Sequence, residues 1–278
     1  MPWDSSWHYA KRGDSADRDT GRTPRMKKNI LEKALNSVGL THVKREVEVE
    51  QFPPDFSENE RAIYHFVRPY TMTSSERVVA LTRAVDYIES NDIRGSIVEC
   101  GVWRGGSAMA IARTLMNRNS TKRELYLFDT FEGMSPPTEK DVTYSGTPAA
   151  ELLENSSPTD ADSYWCYADL ADVSRNLKLT AYPTSLVHLV KGKVEETVPQ
   201  NAPDEIALLR LDTDWYESTK HELTHLYPRL VRGGVLIIDD YGHWKGAREA
   251  TDEYLAQHRI RIFLNRIDYT GRIAIKVD

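Results

Sequence analysis

The chain has 278 residues, enough to bury a sizeable single core, and its 40% hydrophobic and 28% charged residues describe an ordinary soluble globular protein. A formal net charge of −6 offers no overall phosphate-neutralising surface, which disfavours a nucleic-acid partner. Its two cysteines, Cys100 and Cys166, are too few for a disulfide scaffold and read as free thiols in a reducing cytosol, and no apolar run approaches the ~20 residues of a membrane span.

Residues 1–25 are polar and irregular without an apolar signal-peptide core, so a cytoplasmic protein is expected. Trp3, Trp7 and Tyr9 could pin this tail to the body or to a second subunit, which makes a homo-oligomer an expectation. Helical periodicity follows at Lys27–Ser37, Glu58–Phe66 and Ser75–Ser90, so residues 26–94 read as a helical cap, with Thr73–Glu76 as a capping box for its third helix. From residue 95 onward strands and helices alternate. Strands are expected at Ser96–Cys100, Leu125–Phe128, Leu186–Val190, Ile206–Leu211 and Val235–Ile238, and helices at Ser107–Asn117, Asp169–Leu179, Ser218–Val231 and Lys245–His258. That alternation predicts an α/β domain over 95–278 with a mostly parallel, doubly wound sheet. Ile260–Leu264 and Arg272–Val277 have no helix between them, and Asp268–Gly271 supplies turn residues, so the chain ends in a β-hairpin.

Residues 133–165 interrupt the alternation with a long stretch rich in Pro, Ser, Thr and Asp, expected to be a lid. Tyr164, Trp165 and Tyr167 beside it either line a pocket or pack on the core.

Asp212 and Asp214 follow the Ile206–Leu211 run, and Asp239 and Asp240 follow Val235–Ile238. Neighbouring parallel strands lie about 4.8 Å apart, so their carboxylates can grip one hard cation such as Mg²⁺. Glu99 to Ser107 joins the first strand to its helix. Gly101 permits a tight turn, and Gly105 and Gly106 let backbone approach a ligand at the helix N-terminus. The spacing is not G-x-G-x-x-G, and Glu99 would repel a pyrophosphate, while Asp129 ends the second strand where an acid takes ribose hydroxyls. Together these describe a nucleoside cofactor without phosphates, and S-adenosylmethionine fits.

The blocks Ile97–Ser107 (IVECGVWRGGS), Leu127–Met134 (LFDTFEGM), Leu209–Thr219 (LRLDTDWYEST) and Gly233–Gly242 (GGVLIIDDYG) resemble those of the macrocin O-methyltransferase family, metal-dependent enzymes that methylate sugar hydroxyls on glycosylated antibiotics. The resemblance runs from about Met72 to Lys276. It implies a class I S-adenosylmethionine-dependent methyltransferase fold, with a Rossmann-like seven-stranded sheet and antiparallel C-terminal hairpin. It implies cofactor contacts from Glu99, Gly101, Ser107, Asp129 and Thr130, with Gly192 and Lys193 near the adenine and Tyr70 and Met72 in a closing segment. It also implies Mg²⁺ ligation by Asp212, Asp239 and Asp240, with Asp212 close to the cofactor as well and Asp214 as general base. The implied partner is a small glycosylated acceptor, neither nucleic acid nor membrane.

Other readings remain at this level. A phenol or catechol acceptor could use the same metal ligands. His221–His225 matches H-E-x-x-H, the zinc-peptidase pattern, although Pro228 and Val231 stand where one protease subclass needs Gly and His. His243 and Trp244 follow the acidic pair closely enough to shape an acceptor pocket.

Overall fold

The computed structural model describes residues 52–158 and 163–277, so the helix expected at Lys27–Ser37 and the aromatic tail lie outside the described residues. Two helices open it, α1 (Glu58–Val67) and α2 (Ser75–Ser90). Then come β1 (Ser96–Cys100), α3 (Gly106–Asn117), β2 (Leu125–Asp129), α4 (Ala149–Glu154), α5 (Leu170–Lys178), β3 (Val187–Lys191) and α6 (Val194–Thr197). β4 (Ile206–Leu211), α7 (Tyr216–Leu226), β5 (Leu230–Ile238), α8 (Lys245–Gln257), β6 (Asn265–Arg266) and β7 (Arg272–Ile275) complete the order.

The strands form one seven-stranded sheet in the order β3-β2-β1-β4-β5-β7-β6. β3 through β5 pair in parallel, and β7 runs antiparallel to both β5 and β6. Alternate residues of the buried strands feed two cores, as strand geometry requires. Ile97, Leu208 and Val235 pack under α2 and α3, whereas Val98, Leu209 and Leu236 pack under α7 and α8. α2 therefore shares the sheet's own core, through Leu81, Val85 and Ile88. The strand order reverses between β1 and β4, and the crevice beyond the carboxyl ends of such a pair is where open α/β sheets bind ligands.

Several local expectations shift, each for a physical reason. α2 begins at Ser75, but Ser74 is its N-cap: Ser74 Oγ accepts from Arg77 N (3.2 Å) and donates to Asp268 Oδ2 (2.8 Å). Thr73 instead accepts a hydrogen bond from Arg210. The helix expected through Val231 stops at Leu226, because Pro228 has no N–H to continue it, and β5 starts as early as Leu230 despite Gly233 and Gly234. The first hairpin strand forms at Asn265–Arg266 rather than Ile260–Leu264, and Asp268 Oδ1 closes the turn by accepting from Thr270 N and Gly271 N.

The 133–165 insertion is built, not structureless, over its described part. It contains α4, and Ala149 and Leu153 pack against Trp215, Trp244 and Ala247 in a small separate core. Asp141, fully buried, accepts from Tyr216 N (2.7 Å) and so caps α7 from a distance, while Trp215 Nε1 donates to the Ser135 carbonyl (2.9 Å). Of the adjoining aromatics, Trp165 packs with this core and Tyr164 lines the cavity described below.

Candidate functional site

A cavity of about 390 Å³ opens beyond the carboxyl ends of β1, β2, β4 and β5. Its acidic end follows from register. Leu211 pairs with Ile238, so the residues after each strand emerge side by side, with Asp239 N bonded to Leu211 O (2.9 Å) and Asp212 N to Cys100 O (2.8 Å). Gly101 makes this approach feasible: at φ +82° a Cβ would lie 1.9 Å from the Asp212 carbonyl oxygen. The outcome is that Asp212, Asp239 and Asp240 each offer an oxygen, and these lie within 4.8 Å of one another.

Two guanidinium groups are threaded into this acidic end. Arg210, only 2% exposed, places Nη1 2.7 Å from both Glu99 Oε1 and Asp212 Oδ2, and Nη2 2.9 Å from Asp239 Oδ1. Arg77 pairs with Asp239 Oδ2 and with Asp268 Oδ2 (3.0 Å), tying α2 and the β6–β7 turn to the cluster. These cations hold Asp239 below the usual carboxylate range against its burial. They do not satisfy the rest. Burial, offset by Arg210 and reinforced by Asp239 and Asp240, pushes Asp212 well up, and burial with the Asp214 and Asp239 charges does the same to Asp240. Asp239 Oδ1 faces Arg210 as an ion pair without the alignment of a full hydrogen bond. Carboxylates thus outnumber the cations facing them, and the oxygen-only donor set fits a hard divalent ion.

Asp214 sits two residues on, in a left-handed turn at φ +66°. Burial, followed by the Asp212 charge, raises its pKa to about 7, while hydrogen bonds with Asp240 and Trp244 pull the other way. Thr213 between the two acids donates to Glu222 Oε1 (2.9 Å) from α7. Glu222 is fully buried beside Cys100, and burial pushes its pKa well up. It braces the Asp212–Asp214 turn through Thr213.

The other end of the cavity is formed by the Gly101–Gly105 loop. Asp129 gathers it: Oδ2 accepts from Val102 N (2.7 Å) and Trp103 N (3.1 Å), and Oδ1 from Phe131 N (2.7 Å). Thr130 Oγ1 donates to the Gly133 carbonyl. Gly101, Asp129, Thr130, Gly192 and Lys193 all line the cavity, as do Met72 and Asp212. Three expected cofactor contacts do not line it. Ser107 is buried in the first turn of α3, and Glu99 lies beneath the cavity against Arg210. Tyr70 stacks under Arg104 (5.3 Å) and backs onto Gly106, where a Cβ would meet the Tyr70 carbonyl at 2.5 Å.

Arg77, Arg210, Trp103, Cys166 and Glu222 escaped the sequence reading. Only Arg210 carried a signal, as a charge inside the apolar run IALLRL. Cys166 lines the cavity at φ +46°, where burial and the surrounding aspartates push its thiol up and so disfavour the thiolate.

The H-E-x-x-H pattern makes no metal centre. His221 Nε2 bonds the Val198 carbonyl (2.9 Å), and Glu222 faces the core rather than the histidines' surroundings. Among the described residues the aspartate trio is the grouping with metal-ligand geometry. His243 and Trp244, by contrast, do line the cavity at its acidic end. Burial and the Arg77 charge keep His243 below its ordinary pKa.

Comparison with known proteins gives a consistent picture. The family model described as macrocin-O-methyltransferase (TylF) matches residues 16–274. The chain is 31% identical over 202 residues to demethyldecarbamoylnovobiocin O-methyltransferase of Streptomyces niveus, covering 73% of this chain and 74% of that protein. It is equally 31% identical over 202 residues, with the same coverage, to 8-demethyl-8-(2,3-dimethoxy-alpha-L-rhamnosyl)-tetracenomycin-C 4'-O-methyltransferase of Streptomyces olivaceus. Among solved structures it resembles the O-methyltransferase NovP, with a TM-score of 0.65 and 28% identity over 75% of this chain and 83% of that one.

Proposed function

The chain belongs to the macrocin-O-methyltransferase (TylF) family and is an O-methyltransferase, and from that premise we propose that it transfers the methyl group of S-adenosylmethionine to a sugar hydroxyl of a glycosylated small molecule, with Mg²⁺ bound. The observation that carries this reading is the convergence of Asp212, Asp239 and Asp240 oxygens within 4.8 Å, beside Asp214 and at one end of the cavity. A relative whose name specifies a rhamnosyl group supports a deoxysugar as the methylated unit.

A sugar hydroxyl is a poor nucleophile because almost none of it is ionised at neutral pH. When bound, Mg²⁺ supplies Lewis acidity that lowers the pKa of a hydroxyl beside it. Asp212, Asp239 and Asp240 would hold the ion, with Arg210 paired to Asp212 and Asp239 and Arg77 paired to Asp239 to fix their positions. Asp214 accepts the hydroxyl proton, a role suited to a carboxylate tuned close to neutral pH. S-adenosylmethionine would supply the methyl group on an already activated sulfonium, so what the chain itself contributes is alignment and proton removal. Gly101, Asp129, Thr130, Gly192 and Lys193 form the cofactor end on this reading, and Glu99, Ser107 and Tyr70 support it from behind. The enzyme is proposed to work in the cytoplasm, and no helix among the described residues is long and apolar enough to cross a membrane.

The test is a calorimetric titration of S-adenosylhomocysteine with NAD⁺ as control. Methyl transfer to glycosylated acceptors is then assayed with Mg²⁺ and with EDTA. Micromolar binding of the homocysteine product, none of NAD⁺, and EDTA-sensitive turnover on saturated sugars are expected. Absence of product binding would remove the cofactor assignment, and turnover confined to phenols would replace the sugar acceptor with an aromatic one.

A further inference from the structure

At the acidic end of the cavity three separate loops converge and present aromatic rings outward. Tyr144 comes from the insertion, His243 from the segment after β5, and Tyr269 from the β6–β7 turn. The loops are bonded to one another. Tyr144 N donates to His243 O (2.7 Å), Gly242 N to Thr270 O (2.9 Å), and Thr270 Oγ1 to Asp239 O (2.7 Å). Gly242 is needed for this contact, because a Cβ there would lie 2.0 Å from the Tyr269 carbonyl oxygen.

The rings are locked in turn. Tyr269 Oη and His243 Nδ1 are hydrogen-bonded at 3.0 Å, and the His243 ring stands edge-on to Tyr144 (5.9 Å), Tyr269 (6.1 Å) and Trp244 (4.9 Å). Yet Tyr144 is 64% and Tyr269 56% exposed. Large aromatic groups fixed by this many contacts and still facing solvent, with His243 and Tyr269 lining the same cavity as Asp239 and Asp240, are arranged to receive something flat or apolar.

We propose that Tyr144, His243 and Tyr269 form an aglycone subsite, an aromatic shelf outside the catalytic end that stacks against a planar or apolar ring attached to the sugar being methylated. This rests on the sugar O-methyltransferase reading and adds which part of the acceptor governs affinity. His243 and Tyr269 line the cavity at its acidic end, and Tyr144 stands against both rings, so a group carried on a sugar held beside the acids meets this cluster. A saturated sugar alone reaches the acids without touching Tyr144. A ring carried on the glycosidic oxygen gains the shelf and the stacking or edge-to-face contacts that aromatic groups favour.

The experiment compares two probes, 4-nitrophenyl α-L-rhamnopyranoside and methyl α-L-rhamnopyranoside, by calorimetry on the full chain saturated with S-adenosylhomocysteine and Mg²⁺. Wild type, Tyr144→Ala, Tyr269→Ala and Tyr269→Phe are measured side by side. The aryl glycoside should bind roughly tenfold tighter than the methyl glycoside to wild type. Both alanine variants should lose that advantage, Tyr269→Phe should keep most of it, and S-adenosylhomocysteine affinity should stay unchanged throughout. Equal affinity for the two glycosides, an aryl preference that survives in both alanine variants, or no aryl binding to the loaded wild type would overturn the shelf. Failure of wild type to bind S-adenosylhomocysteine would instead overturn the methyltransferase reading on which the shelf rests.

Discussion

Arg210 Nη1 lies 2.7 Å from Asp212 Oδ2, so a guanidinium wholly inside the sheet fixes the first acid of the aspartate cluster. The same nitrogen reaches Glu99, and the other end of the fork reaches Asp239, so three strands meet on one side chain. Removing it would strand buried carboxylates. Arg210→Met is expected to cost about 3–5 kcal/mol of folding free energy, because uncompensated buried charge is the dominant penalty. Arg210→Lys keeps the charge but not the fork, and should fall between wild type and Met. Urea denaturation at pH 7 checks the order.

Glu222 gives a prediction with a definite sign in pH. Its pKa is raised in the folded protein, chiefly by burial. The folded state therefore holds a proton that the unfolded state releases, and its contribution to stability is present below the unfolded pKa and lost as pH rises toward the folded one. Glu222→Gln keeps an acceptor for Thr213 without needing a proton, so it should gain on wild type as pH rises from about 5 to about 8. Glu222→Leu leaves the Thr213 hydroxyl unpaired and should lose about 1–3 kcal/mol at low pH. Thermal melts across that range decide it. A flat difference between Gln and wild type would mean Glu222 is not the proton holder.

Asp214→Asn separates proton removal from positioning. Asn tolerates the left-handed backbone at φ +66°, so the turn should survive the change. We expect kcat to fall about 10²–10⁴-fold with S-adenosylhomocysteine affinity intact. Steady-state kinetics beside calorimetry would show it, and a loss confined to KM would move Asp214 from base to acceptor contact.

Metal and protons should compete for the aspartate cluster. Asp212, Asp214 and Asp240 all have raised pKa values, that of Asp214 to about 7, so without metal the cluster is most comfortable when partly protonated. Stability from these groups is lost as pH rises through their folded pKa values, and a divalent ion restores it there. The rise in melting temperature on adding Mg²⁺ should be larger at pH 8 than at pH 6, and Asp240→Asn should shrink it at both. A Mg²⁺ effect independent of pH would argue against shared ligands.

The sequence by itself determined the architecture and the acidic trio. Short apolar runs alternating with helical periods point to a mostly parallel sheet, and Asp at the ends of two such runs emerge together once those strands pair. It did not reveal the short helices α4 and α6, whose four to six residues carry no readable period, nor the early start of β5 behind Gly233 and Gly234. The resemblance also implied cofactor contacts from Ser107, Glu99 and Tyr70, which do not line the cavity. Only the tertiary structure decided those positions, and it alone brought Arg77, Glu222, Tyr144 and Tyr269 to the site. These residues come from α2, α7, the insertion and the terminal hairpin. Their roles depend on side chains far apart in the chain meeting across loops, where neither periodicity nor spacing records which partner a side chain will face.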